Sequence, residues 1–280
     1  MSGLVIDPIC PEFGARVIDA DLQDLNADCV RDLNAALDRY GVLVFPNQKL
    51  SEADQISFAK VFGTPSERSR PADRRAEQSE YAHLIGLVTN VRENGEPIGS
   101  LPDGEMWLHH DGCFIDEPYR ATLLYALHVT STGGETRFVD MRQVYRDLPI
   151  EIQSELIGKT AVHQFDYRNI NARPQSIPSS GSAREAEHPV VIKHPRTSEP
   201  ALYVNPLCTI QFSDAPNDDL LDHLFSAIEE NAATFHHRWS VDDLVIWDNW
   251  SSCHARSDFP AAEKRMLRRC IIKGCALDAH

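Results

Sequence analysis

The chain contains no run of the roughly 20 apolar residues that a membrane-spanning helix requires. Residues 1–14 also lack a basic segment followed by an apolar stretch, so neither an anchor nor a leader is expected and a soluble, cytoplasmic protein is. Positive charge is scarce: 27 Lys plus Arg stand against 42 Asp plus Glu, a formal net charge of -15. A surface that acidic repels a phosphate backbone, which argues against nucleic acid as a partner. The seven cysteines are odd in number and scattered with no C-x-x-C pair, which disfavours both a disulfide framework and a cysteine zinc site. No H-E-x-x-H motif is present, and there is no internal repeat and no clear domain boundary.

What is present is ordinary globular composition. Across 280 residues, 42% are hydrophobic and 25% charged, enough apolar content for a sizeable core. One domain over residues 1–280 is expected, carrying two long polar insertions, 64–106 and 166–188. The second is long for a structureless loop and reads as an active-site lid.

Val30, Leu33, Leu37 and Tyr40 recur at spacings of three and four behind Asn26, which predicts an amphipathic helix over 27–40. Val42 to Phe45 then reads as a strand bounded by Pro46 and Asn47. Ser51 with Asp54 forms an acidic variant of the capping box and starts a second helix. Within the first polar insertion, His83 to Val91 includes one strand-like run. Strands are further expected at 122–129, 136–140, 189–194, 201–205, 243–248 and 267–275. Helices are expected at 141–148, 150–157 and 217–235, the last with Leu220, Leu221, Leu224, Phe225 and Ile228 turned inward. Many strands separated by turns, with few helices, give a mainly β class with flanking helices: an antiparallel jelly roll, the cupin-like double-stranded β-helix.

Chemistry concentrates in Trp107-Leu108-His109-His110-Asp111-Gly112. On an extended strand, His109 and Asp111 turn to one side and His110 to the other, so the first two suit one metal. A two-His-one-carboxylate facial triad needs a third ligand from elsewhere. His254, just after the apolar run Leu244 to Trp247 and expected at a turn, is the best placed of the remaining histidines. Its neighbour Cys253 reads as packing, because adjacent strand residues face opposite ways. Taken alone, an H-x-D pair is weak evidence for a metal.

The surrounding order of motifs carries more. His109-x-Asp111, Gly133-Gly134-Glu135-Thr136, His188-Pro189-Val190-Val191, Leu202-Tyr203-Val204-Asn205, Trp247-Asp248-Asn249, His254 and Arg265-x-x-x-Arg269 together resemble the taurine dioxygenase family, which includes enzymes that cleave phenoxyacetate herbicides. The resemblance runs from about residue 5 to 275. It implies an Fe(II)- and 2-oxoglutarate-dependent dioxygenase that uses O2, with iron held by His109, Asp111 and His254. It further implies that Thr136 and Arg265 bind the distal carboxylate of 2-oxoglutarate, which suits a planar guanidinium fork and one hydroxyl. Arg269 matches the position that meets an anionic substrate, and Phe165 a position that lines the substrate pocket.

The plainer alternative for Arg265, Arg268 and Arg269 is a solvated edge strand. It is set aside for Arg265 and Arg269 and kept for Arg268. Two departures from the family pattern stand out. Leu108 separates Trp107 from His109, which leaves open whether Glu105 or Met106 faces the substrate, and Trp250 follows Asp248-Asn249 where Arg is usual.

The expected reaction is hydroxylation of a small organic anion, an aryloxyalkanoate, another carboxylate or a sulfonate, with release of succinate and CO2. If the hydroxylated carbon bears an ether oxygen or a sulfonate, a C–O or C–S bond then breaks. Retention of Asp111 argues against a halogenating relative. A zinc hydrolase using the same three ligands, or a non-catalytic jelly-roll binding protein, are the alternatives. A homo-oligomer is expected.

Overall fold

The computed structural model describes residues 3–68, 79–100, 104–165 and 184–280. Strands β1 (Val5–Pro8) and β2 (Ala15–Ile18) lead to α1 (Ala27–Tyr40), β3 (Val42–Phe45) and α2 (Glu52–Ala59). Then come β4 (Ile85–Thr89), a small hairpin of β5 (Arg92–Glu93) and β6 (Glu96–Pro97), β7 (Met106–His109), β8 (Ala121–His128) and β9 (Thr136–Asp140). Helices α3 (Met141–Asp147) and α4 (Ile150–Leu156) precede β10 (Thr160–Phe165), β11 (Arg184–Pro189), β12 (Val191–Lys193), β13 (Pro200–Leu202) and β14 (Thr209–Phe212). The chain closes with α5 (Asp218–Glu229), β15 (Thr234–His237), β16 (Leu244–Asp248), β17 (Ser252–Arg256), β18 (Met266–Ile272) and β19 (Asp278–Ala279).

Two sheets face each other and define the jelly roll. The larger has the order β1-β2-β3-β16-β8-β18-β4 and the smaller β15-β9-β17-β7. Their inner faces meet in a core that includes Val44, Leu124, Val245, Trp247 and Leu267 from the first and Phe138 and Phe235 from the second. The outer face of the larger sheet buries Leu43, Leu123, Tyr125 and Ile246 against Leu33, Leu37, Ile56 and Phe62 from the α1 and α2 region. This alternation along β8 and β16, one residue inward and the next outward, is the period-two pattern of a sheet buried on both faces.

Both N-terminal helices form for the expected reasons. The Asn26 side chain accepts from the Cys29 amide, and Gly41 ends α1 in the left-handed conformation with φ 68°. Ser51 and Asp54 make both halves of the capping box on α2.

Three expectations are corrected. The helix expected to reach 235 stops at Glu229, and Thr234–His237 instead pairs with β9, placing Phe235 opposite Phe138; the inward leucine pattern ends at Ile228, and a Thr-Phe pair suits a strand better. His254, expected at a turn, lies within strand β17 (Ser252–Arg256). The expected strand at 267–275 ends at Ile272. Of the polar insertions, 64–106 contains β4, the β5–β6 hairpin and the start of β7, while residues 166–183 of the expected lid lie outside the described residues.

Candidate active site

The site is built where β7 and β17 pair antiparallel, with His254 directly opposite His109. His109 is the last residue of β7 and Asp111 lies in the turn that follows, so the pair is presented by a strand end rather than along a strand. The imidazole centroids of His109 and His254 are 4.1 Å apart. His109 Nε2 lies 3.7 Å from Asp111 Oδ1, and His254 Nε2 lies 3.9 Å from Asp111 Oδ2. Such separations are too long for hydrogen bonds. They are close to those of donors sharing one ion, since bonds of ~2.1 Å at near-right to tetrahedral angles put neighbouring donors ~3.0–3.4 Å apart. Among the described residues this is the one group of three metal-ligating side chains whose donor atoms all converge, within 4.8 Å of one another.

The donor set is prepared for a divalent cation. His109 Nδ1 lies 2.8 Å from the Trp107 carbonyl oxygen, so Nδ1 carries the proton and Nε2 turns a lone pair to the site. Burial, reinforced by the nearby His109, pushes the His254 imidazole down to about 3, which keeps it in the neutral form that ligates metal. Burial raises the Asp111 carboxyl, but His254, Arg269, His109 and the Thr122 hydroxyl outweigh it and hold it below the usual carboxylate range. Two imidazoles and one carboxylate on one edge of a cavity, with the other side open, match a facial triad.

The cavity measures about 420 Å³ including its open mouth and lies between the two sheets. The larger sheet contributes Val88, Leu124, Trp247 and Arg269 to its wall; the smaller contributes Met106, Thr136 and Arg256 beside the two histidines. Arg265, immediately before β18, completes it. Thus the triad, Thr136, Arg265 and Arg269 all come together in one space.

Arg265 is buried, donates from Nη2 to the Gly134 carbonyl at 3.1 Å, and lies with its guanidinium carbon 5.6 Å from the Phe259 ring centroid. Burial and the neighbouring charge of Arg256 push it down to about 9, and among the described residues no acidic side chain offsets them. A guanidinium held in such a place is matched by an anion brought in from outside. Thr136 is buried next to it, and its Oγ1 accepts from Trp239 Nε1 at 3.0 Å. With the oxygen so engaged, the hydroxyl proton is left to donate into the cavity.

Several sequence expectations are resolved by this geometry. His110 is wholly buried on the far side of β7, 4.4 Å ring to ring from Tyr203, as strand alternation requires. Cys253 lies on that side too, its Sγ 3.4 Å from His110 Nδ1, and burial pushes its thiol well up, which is the state of a packing residue. Met106 faces the cavity, while the Glu105 carboxylate accepts from Trp107 Nε1.

Arg268 is not on a solvated edge. Strand β18 runs between β8 and β4, and Arg268 is buried on the outer face, bonded to the Leu50 carbonyl and lying over the Tyr125 ring at 4.5 Å. Phe165 ends β10 and stacks on Phe114 at 5.1 Å; it is not among the residues lining the cavity.

The Asp248-Asn249-Trp250 segment begins the turn between β16 and β17. Asp248 Oδ1 accepts from the Trp250 amide at 2.8 Å, and Oδ2 lies 3.1 Å from His194 Nε2. Trp250 fills the core against His194. Sequence reasoning missed Trp239, Thr122 and Arg256: Thr122 in β8 and Arg256 in β17 are brought in by strand pairing, and Trp239 by the segment that follows β15, none of which has a local signal in the chain.

The family described as Taurine catabolism dioxygenase TauD, TfdA family matches residues 6–271. The alpha-ketoglutarate-dependent 2,4-dichlorophenoxyacetate dioxygenase of Cupriavidus pinatubonensis is 30% identical over 283 residues, covering 95% of this chain and 96% of that protein. The alpha-ketoglutarate-dependent sulfate ester dioxygenase of Pseudomonas putida is 27% identical over 291 residues, covering 97% and 90%. Among solved structures, a taurine dioxygenase from Burkholderia xenovorans has the same fold, with a TM-score of 0.79 at 21% identity over 99% of this chain and 93% of that one.

Proposed function

The chain belongs to the TauD, TfdA family, and on that premise we propose that it is a 2-oxoglutarate- and O2-dependent dioxygenase that hydroxylates a small organic anion at Fe(II) held by His109, Asp111 and His254. The observation that carries this reading is the meeting, in one cavity, of the converged His-Asp-His donors with Arg265, a buried guanidinium with no acidic partner among the described residues, and the Thr136 hydroxyl.

Iron, when bound, supplies the activation of O2 against 2-oxoglutarate that ends in succinate, CO2 and a hydroxylated C–H bond. The chain's own residues set the geometry. His109 and His254 offer their Nε2 atoms, and Asp111 offers one negative charge. Arg265 and Thr136 hold the distal carboxylate of 2-oxoglutarate by charge-assisted hydrogen bonds. Met106, Leu124, Val88 and Trp247 give the cavity an apolar wall that excludes water.

Arg269 takes the anionic group of the substrate. It lies four residues after Arg265, lines the same cavity, and acts electrostatically on Asp111 and His254. Relatives named for a phenoxyacetate and for sulfate esters point to such an anion without choosing between them. For substrates carrying oxygen on the reacting carbon, hydroxylation ends in C–O cleavage. We place these parts in one domain over residues 1–280 and expect it to act as a cytoplasmic homo-oligomer, which light scattering of the purified protein tests.

Purified protein given Fe(II), 2-oxoglutarate and air is expected to form succinate faster when its substrate is present. A screen of aryloxyalkanoates, alkyl sulfates, sulfonates and amino-acid derivatives identifies that substrate. Turnover without 2-oxoglutarate or O2 would instead make it a metal hydrolase, and no succinate with any compound would leave a binding protein. Among the described residues no glutamate lines the cavity to serve as a hydrolytic base, which disfavours the hydrolase.

A further inference from the structure

Resting on the metal site proposed above, we propose that Thr122 is a positioning residue that makes Asp111 meet the metal through a single carboxylate oxygen, and that Asn249 fixes the direction of the Thr122 hydroxyl. Thr122 is the second residue of β8, opposite Trp247 of β16 and Ile271 of β18. It points to the inner face of the sheet, two residues before the cavity-lining Leu124, and has no solvent exposure. Its Oγ1 donates to Asp111 Oδ2 at 2.7 Å. Asn249 Nδ2 donates to the same Oγ1 at 3.1 Å.

The polarity of this chain is set by chemistry. An amide N–H can only donate, and an ionised carboxylate can only accept. Thr122 therefore receives from Asn249 and has one proton left, which goes to Asp111. The Asn249 side chain is delivered by a stiff turn: its own amide donates to the Arg120 carbonyl at 2.8 Å, and Asp248 Oδ1 accepts from the next two amides, those of Trp250 and Ser251. The three groups thus form a relay from a rigid backbone turn to the one anionic ligand.

Its consequence is coordination number. A carboxylate free to rotate can ligate through both oxygens and occupy a position that the reaction needs open. Both oxygens approach the histidines, Oδ1 at 3.7 Å from His109 Nε2 and Oδ2 at 3.9 Å from His254 Nε2, but Oδ2 is engaged by the Thr122 hydroxyl, so Oδ1 is the oxygen left for the metal. Held in this way, Asp111 would offer a metal one oxygen rather than two, beside the two imidazoles.

The test uses the purified metal-free protein titrated with Mn(II) by calorimetry. T122V keeps the shape and deletes the hydroxyl, and is expected to weaken Mn(II) binding by about 10- to 100-fold, the range for loss of an outer-sphere partner. T122S restores a donor and should lie within about threefold of the parent, which a role in packing alone would not give. N249L, which deletes the amide and leaves Thr122 intact, should weaken binding by an intermediate factor, and it stands in if T122V does not fold. In turnover, T122V should consume more 2-oxoglutarate per substrate oxidised than the parent. T122V within twofold of the parent, or T122S as weak as T122V, would overturn the inference while leaving the triad standing. Failure of the parent itself to bind Mn(II) would overturn both.

Discussion

Trp239 Nε1 donates to Thr136 Oγ1 at 3.0 Å from a ring that is itself buried. This bond occupies the threonine oxygen and leaves its proton to point at an anion in the cavity. Trp239→Phe keeps the ring and removes the donor, at a net cost of ~1 kcal/mol for one hydrogen bond. We expect about fivefold weaker binding of 2-oxoglutarate to the metal-loaded enzyme, read by calorimetry. A change below twofold would show that the hydroxyl is oriented by something else.

Arg265 and Arg269 line one cavity, and the function proposed above gives them separate tasks. Arg265→Ala is expected to raise the 2-oxoglutarate concentration needed for half-maximal rate by at least about tenfold, the worth of a charge-assisted bond. Arg265→Lys should recover only part of this, because an ammonium cannot reproduce the guanidinium fork. Arg269→Ala should raise the KM for substrate and leave that for 2-oxoglutarate little changed. Equal losses in both parameters for both variants would mean the tasks are shared.

Ligand binding to the folded state alone raises stability by mass action, ~2.7 kcal/mol at a hundredfold excess over Kd. For a chain of this size that corresponds to a Tm rise of roughly 5 to 10 °C on adding Mn(II) to the metal-free protein, reversed by chelator. His254→Ala removes one of the three converging donors and should abolish the shift. A full shift in that variant would sink the ligand assignment.

Gly133 has φ 70°, and a Cβ there would fall on the Asp258 carbonyl oxygen. Gly133→Ala is therefore expected to destabilise the protein by ~1–3 kcal/mol, from the left-handed backbone and the close approach together. The same turn carries the Gly134 carbonyl that Arg265 bonds, so 2-oxoglutarate affinity should fall alongside Tm in thermal and binding measurements. A Tm within 1 °C of the parent would refute the close contact.

Much of this site is legible in the chain itself. Strand alternation separates His109 from His110, and the structure puts them on opposite sides as that rule requires. The capping residues Asn26 and Ser51 mark both N-terminal helices because capping is local chemistry within four residues. Arg268 was misread for the opposite reason: whether β18 is an edge depends on β4 pairing beside it, a contact between residues far apart in sequence. His254 in a strand rather than a turn, and the switch from helix to strand after Glu229, fail likewise. Each is decided by partners in β7 and β9 rather than by neighbours in the chain.

The pairing of β7 with β17 sets His109 opposite His254 although most of the chain's second half lies between them. Closing so long a loop is slow relative to forming local helices and hairpins. Until it closes, a metal held as proposed would meet only His109 and Asp111, two of its three ligands. The metal can therefore lock a finished barrel but cannot seed one, and chelator should speed unfolding of the protein while leaving its refolding rate nearly untouched.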